Sequence, residues 1–213
     1  MKKGFTLLFL FTMALSFGQT NLYEHPNFKR VAETHQTIAI LPFKAIVKLR
    51  PKQMKDMSEE QLKKMEADEG LAVQNALHSW FLKRKKQGKT DKDVQEPSRT
   101  NALLKKNEID MSTIDAYTLE ELAALLGVDA VISGTLKTNK PMSEGASAAL
   151  GLLVGFWGST NSGTLEMSVN DGKTGDLMWK YEKKLGRSMG SDTDTVINAL
   201  MRKASRRLTY MKK

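Results

Sequence analysis

The stretch Thr118-Leu119-Glu120-Glu121-Leu122-Ala123-Ala124-Leu125-Leu126-Gly127-Val128-Asp129-Ala130-Val131-Ile132-Ser133-Gly134-Thr135-Leu136 decides the fold class. Thr118 followed three residues later by Glu121 is a capping box, in which side chain and backbone satisfy each other at a helix start. The helix so opened runs through Leu126. Gly127 closes it, because glycine takes the positive φ of a helix C-terminus at no steric cost. Ala130 to Leu136 then reads as a mostly buried strand. A short helix delivered straight into a buried strand is the grammar of an α/β protein.

Working towards the N-terminus, residues 88 to 99 are charged and contain Pro97, which predicts a loop with a short strand near Val94. Thr100 to Lys106 suits one or two helical turns. A long helix is predicted from Ser58 to Gln87. Ser58 with Gln61 forms another capping box, and Leu62, Met65, Ala72, Ala76 and Phe81 recur at helical spacing. Gly70 costs about 1 kcal/mol against alanine inside a helix. It is expected to break this helix into an exposed charged half and a buried second half. His78 and Trp80 fall on the second half as core or boundary residues. Thr37 to Phe43 is nearly all apolar and ends beside Pro42, as a strand buried on both faces does. Ala45, Val47 and Leu49 alternate and extend it beyond the proline. Residues 19–36 are polar and read as a short leader.

Towards the C-terminus, Leu165, Met167 and Val169 alternate with Glu166, Ser168 and Asn170. Leu177, Trp179 and Tyr181 alternate with Met178, Lys180 and Glu182. These are two half-exposed strands joined by the turn-rich Asp171-Gly172-Lys173-Thr174-Gly175-Asp176. Ser191 or Asp192 caps a last helix with Val196, Leu200, Ala204 and Leu208 on one face. The expected fold is α/β: a mixed sheet with buried central strands and a C-terminal antiparallel hairpin, covered by helices.

The chain has 213 residues, is 40% hydrophobic and 27% charged, and has no cysteine. That balance excludes a disordered or collagen-like chain. The lack of cysteine removes disulfides, thiolate metal sites and a cysteine nucleophile. Lys2 and Lys3 precede an apolar run from Phe5 to Phe17, and Ser16 and Gly18 are small residues at the −3 and −1 positions of a cut before Gln19. This is the pattern of a signal peptide over residues 1–18, and the run is too short for a membrane span. The expected product is periplasmic or secreted and not lipid-anchored. Its removal takes two lysines and no acid, lowering the formal charge from +9 to +7.

Two basic runs remain: Lys83, Arg84, Lys85, Lys86, Lys89 and Lys92, and Arg202, Lys203, Arg206, Arg207, Lys212 and Lys213. Both sit at predicted helix ends, where cations complement the helix dipole and are usually solvated. The sharper reading is attraction to anionic lipid head groups or acidic polymers. After export, nucleic acid is not an expected partner.

Ile38-Ala39-Ile40-Leu41-Pro42-Phe43, Leu126-Gly127-Val128-Asp129 with Ala130 to Gly134, Val169 to Trp179, and the closing helix together resemble a bacterial envelope family. It comprises the TolB N-terminal domain, CsgG, LpoB and related small lipoproteins. The shared marks are an A-x-L-P-F strand, an L-G-x-D-x-x-x-x-G joint and a D-x-x-T-G-x-x-x-W hairpin. The resemblance covers most of residues 37–210, and it implies an α/β module that docks, assembles or activates rather than turns over substrate. Many such proteins are lipoproteins, and this chain has no cysteine to carry the lipid.

One segment departs from this pattern. Residues 143–162 form an apolar, glycine-rich insertion within the domain 37–213. Ser147, Gly151 and Gly155 recur every four residues, which would let a second backbone approach. Leu150, Val154, Phe156 and Trp157 are the apolar candidates for contact. The segment suits a loop packed on the core, an interface for self-association, a partner or a membrane, or the wall of a ligand pocket.

No phosphate loop, dinucleotide fingerprint, H-E-x-x-H or G-x-S-x-G occurs. His25, His35 and His78 lack neighbours at metal-ligand spacing. No catalytic residue, metal or cofactor is expected. The expected function is a non-enzymatic envelope module bound to another envelope protein or to itself. The alternatives are a peripheral membrane or pore-assembly component using residues 146–157, and a hydrolase whose acids come from distant residues.

Overall fold

The computed structural model describes residues 20–49, 51–55, 57–138, 163–185 and 192–212. Its elements in chain order are β1 (Thr20–Glu24), α1 (Phe28–Thr34), β2 (Thr37–Ile40), β3 (Lys44–Val47), α2 (Pro51–Met54), α3 (Glu59–Lys86), β4 (Asp93–Val94), α4 (Pro97–Lys106), α5 (Leu119–Leu126), β5 (Ala130–Thr138), β6 (Gly163–Asp171), β7 (Leu177–Leu185) and α6 (Thr193–Ala204). The seven strands form one mixed sheet in the order β1-β7-β6-β5-β2-β4, and β3 also pairs with β5. β2 and β3 run parallel to β5, and β5–β6, β6–β7 and β1–β7 are antiparallel. The expected α/β class with a mixed sheet and a C-terminal hairpin is what the chain adopts.

Two-sided burial explains the unbroken apolar runs of β2 and β5. Ile38, Ile40, Ala130 and Ile132 face one core shared with α1, α3 and α6. Ala39, Leu41 and Val131 face a second core against α4 and α5. Among the described residues, the hairpin is covered by helices on one side only. Leu165, Met167, Val169 and Tyr181 are buried beneath the helices, whereas Thr164, Glu166, Ser168 and Lys180 on the other face are half-exposed. Met178 is buried as well, which breaks the alternation read from β7. Trp179 is fully buried and stacks on Tyr181 with ring centroids 5.7 Å apart.

Both capping boxes form, at Ser58–Gln61 and Thr118–Glu121, and Gly127 closes α5 at φ 67°. Asp192 caps α6 by accepting from Thr195 N–H at 2.8 Å. Val196, Leu200, Ala204 and Leu208 are all buried.

Two expectations are corrected. Gly70 does not break its helix: α3 is continuous for 28 residues. The glycine is buried where α3 crosses the interruption between β2 and β3, and Phe43 N–H donates to Gly70 O at 3.3 Å. The helix here takes the place of a neighbouring strand. Glu66 accepts from Val47 N–H at 3.0 Å, and Gln74 donates to Ile40 O at 2.7 Å. A side chain at position 70 would have held the helix away from these groups. The stretch read as a leader also contributes to the fold. β1 pairs along β7, and α1 inserts Phe28, fully buried, between sheet and C-terminal segment.

Candidate functional site

Lys83, Arg84, Lys85 and Lys86 form the last turn of α3. They are not uniformly solvated. Arg84 lies 5.0 Å over the Trp80 ring and donates to Gln87 at 2.8 Å, and Lys85 pairs with Asp93. Lys92 is buried and donates to His35 O at 2.7 Å. Arg202 lies in the last turn of α6, and Arg206 and Arg207 lie exposed in the 3₁₀ turn that follows.

The later residues of the two basic runs, far apart in sequence, meet at one pole of the molecule. α3 and α6 pack side by side, and Lys212 N–H donates to Lys89 O at 2.8 Å. Trp179 holds the turn through its indole N–H, which donates to Arg207 O at 3.1 Å. α1 adds Lys29 from a third part of the chain. Two adjoining clefts result, of about 350 and about 470 Å³, both lined by Lys29, Thr209 and Met211. The smaller also has Lys92 and Lys212 on its wall, with Glu33 and Asp91, and the larger has Arg206 and Arg207, with Glu24. Such a surface concentrates positive potential and draws acidic groups by long-range attraction.

Beneath this pole lies a buried polar ladder that sequence spacing did not disclose. Tyr210 Oη lies 2.6 Å from His35 Nδ1, and His35 Nε2 lies 2.8 Å from Asp171 Oδ1. With one ring proton on Nε2, the phenol donates to the imidazole and the imidazole donates to the carboxylate, so each partner is satisfied. Asp171 Oδ2 accepts from Lys173 N–H at 3.1 Å, Thr174 N–H at 2.9 Å and the Thr174 hydroxyl at 3.0 Å. The same carboxylate therefore shapes the β6–β7 turn and anchors His35. Its members come from residues 35, 171 and 210, a separation no local motif encodes. The only trace in the sequence is the turn aspartate itself.

Burial pushes the Asp171 carboxyl up, but the His35 ring and the Thr174 N–H and hydroxyl outweigh it and hold it below the ordinary range. Burial likewise opposes ionisation of Asp129, and the Thr37 and Gln36 N–H groups, at 2.9 and 2.8 Å, override it. The Tyr210 hydroxyl is driven far above its ordinary value by burial and by the charges of Asp171 and Asp129, so it remains a proton donor. Carboxyls lowered by folding confer stability that is present above the unfolded value near 4 and disappears as pH falls through the folded values. The urea midpoint should thus decline below about pH 4. Asp129→Asn should lower stability at neutral pH and flatten that decline. A wild-type midpoint level down to about pH 2 contradicts the assignment.

Ser147, Leu150, Gly151, Val154, Gly155, Phe156 and Trp157 lie outside the described residues, as do residues 1–18, which carry the expected signal pattern. Thr138 and Gly163, which flank the apolar segment, are paired across β5 and β6. Among the described residues, no group of three or more His, Asp or Glu is arranged to hold a metal ion, and no helix is long and apolar enough to cross a membrane.

No family model matches the chain, and no curated protein matches it. Several solved structures are similar to it in fold. The lipoprotein GNA1162 from Neisseria meningitidis has 16% identity and a TM-score of 0.45, covering 81% of this chain and 97% of that one. The PelC dodecamer from Paraburkholderia phytofirmans has 11% identity and a TM-score of 0.47, covering 92% and 99%. The LpoB C-terminal domain from Salmonella enterica has 9% identity and a TM-score of 0.34, covering 74% and 94%.

Proposed function

We propose that this protein is an exported, non-enzymatic module of the bacterial envelope that docks to, or helps assemble, other envelope proteins. The observation that carries the reading is the convergence of Lys29, Arg206, Arg207 and Lys212 on one pole. The three titratable groups buried beneath it, His35, Asp171 and Tyr210, are bonded to one another, and their task is to hold that pole in shape. The signal pattern before Gln19 supplies the compartment, and the strand, joint and hairpin motifs supply the family likeness. The apolar residues 147–157 remain a second proposed contact.

The test is made in cells. The expected result is a chain whose N-terminus is Gln19, recovered outside the cytoplasm and cross-linked to an envelope protein. Reversing Arg202, Arg206 and Arg207 to Glu should lower cross-link yield about tenfold, the scale on which charge reversal weakens electrostatically guided association. Thermal unfolding should be unchanged, because these side chains are exposed. A chain kept in the cytoplasm, or a yield indifferent to charge reversal, would overturn the reading. Equal binding of the native and reversed proteins to phosphatidylglycerol vesicles would also count against a membrane role for the pole.

A further inference from the structure

We propose that the outer edge of β1, with the basic groove beside it, receives an extended acidic peptide of a partner protein, which joins the sheet as an added strand. The inference rests on the docking reading above and specifies its mode.

Among the described residues, nothing pairs with the outer side of β1. The ladder to β7 has a fixed phase. Glu24 stands opposite Trp179, and the next residue, His25, donates its N–H to Met178 O at 2.8 Å. In an antiparallel ladder the bonded pairs alternate. Asn21, Tyr23 and His25 therefore face β7, while Thr20, Leu22 and Glu24 turn their N–H and C=O groups outward. Free edges in natural sheets are usually blunted by lysine, proline or a bulge. Thr20-Asn21-Leu22-Tyr23-Glu24 has neither residue, and its register along β7 is regular.

The chemistry beside this edge selects the occupant. On the helix side, Leu22, Leu208 and Met211 give an apolar floor, and Lys29, Arg206 and Arg207 give a cationic rim. The acid in that groove is Glu24, whose carboxylate accepts from the Thr209 hydroxyl at 3.0 Å. Three cations against one engaged carboxylate favour acidic side chains on that face of an incoming strand. On the opposite face, Tyr23 is 44% exposed and offers an aromatic surface for a cross-strand apolar partner. A strand alternating acidic and apolar residues satisfies both faces, and its backbone satisfies the edge.

The probe is a blocked octapeptide of alternating valine and glutamate, titrated into the purified protein, with its valine–lysine counterpart as control. The acidic peptide should bind about tenfold or more tighter than the basic one, and Arg206→Glu with Arg207→Glu should reverse the order. Peptide should slow amide exchange at Leu22 and Glu24. The decisive variant is Glu24→Pro. It deletes an outward N–H at a site where an edge strand tolerates proline, and it also removes a negative charge from the groove. Charge adsorption alone predicts tighter binding to this variant. Strand addition predicts binding weakened about threefold to tenfold, the loss of one main-chain hydrogen bond.

Unchanged or tighter binding to Glu24→Pro at unchanged thermal stability overturns the proposal. So does exchange at Leu22 and Glu24 that the peptide leaves unaltered, or no binding at about 1 mM, the weak limit of specific association. Edge-to-edge dimers of the protein, abolished by Glu24→Pro, would assign the edge to a second copy and overturn it equally. The purified system makes this outcome separable from the cellular one. Peptide binding without envelope cross-links refutes the compartment and partner, whereas cross-links without peptide binding refute only the strand mode.

Discussion

Gly70→Ala should destabilise the protein by about 3 kcal/mol or more, the cost of forcing a side chain into a packed contact that cannot relax. A Cβ at this position would lie inside the van der Waals envelope of the Phe43 carbonyl oxygen, with Phe43 C and N close behind. These are backbone atoms of the chain between β2 and β3, and Phe43 itself is buried, so neither side can yield cheaply. Moving α3 outward would stretch the bonds from Phe43 N–H to Gly70 O and from Val47 N–H to Glu66. The sign is diagnostic. In an exposed helix, the same change stabilises by about 1 kcal/mol through helix propensity. Urea unfolding decides between them. A Gly70→Ala protein as stable as the native one, or more so, would show that α3 does not cross Phe43 at this distance.

Asp171→Ala should cost about 3–5 kcal/mol, because removing one partner leaves a buried polar network uncompensated. The loss strikes two places. His35 loses the acceptor for Nε2–H, and the turn loses the acceptor for Lys173 N–H, Thr174 N–H and the Thr174 hydroxyl. Tyr210→Phe removes only one hydrogen bond and should cost about 1 kcal/mol. The effects should not add. With Asp171 gone, the His35 ring is free to reorient, and Tyr210→Phe should then cost less than it does alone. Strict additivity would mean that the three residues do not act as one ladder. The ladder also bears on function, because Tyr210 lies between Thr209 and Met211, which line both clefts. Amide exchange at Met211 and Lys212 should quicken in Asp171→Ala, as the C-terminal segment loses its tie to the hairpin.

The basic pole shows how an accurate local reading can miss a surface. Each run was legible as a helix end with cations, and α3 and α6 do end in those residues. Sequence order could not say that Lys212 bonds to Lys89, nor that Lys29 joins the second run at the clefts. It also could not separate Arg84 and Lys85, engaged by Trp80 and Asp93, from the exposed Arg206 and Arg207.

Local chemistry was enough to determine the class of the fold and most of the elements from residue 37 onward. Side-chain oxygens at Ser58 and Thr118 meet N–H groups three residues on, and Gly127 takes a left-handed backbone whatever surrounds it. The apolar runs at 38–41 and 130–132 had to be buried on both faces, because successive side chains point to opposite faces and any uncovered face would leave apolar area in water. Tertiary structure alone decided the role of Gly70, the membership of residues 20–34 in the sheet and helix layer, and the meeting of His35, Asp171 and Tyr210. Each depends on atoms brought together across 27 to 175 positions of chain. Backbone clearance and hydrogen-bond partnership at that range are products of packing, and no periodicity in the sequence carries them.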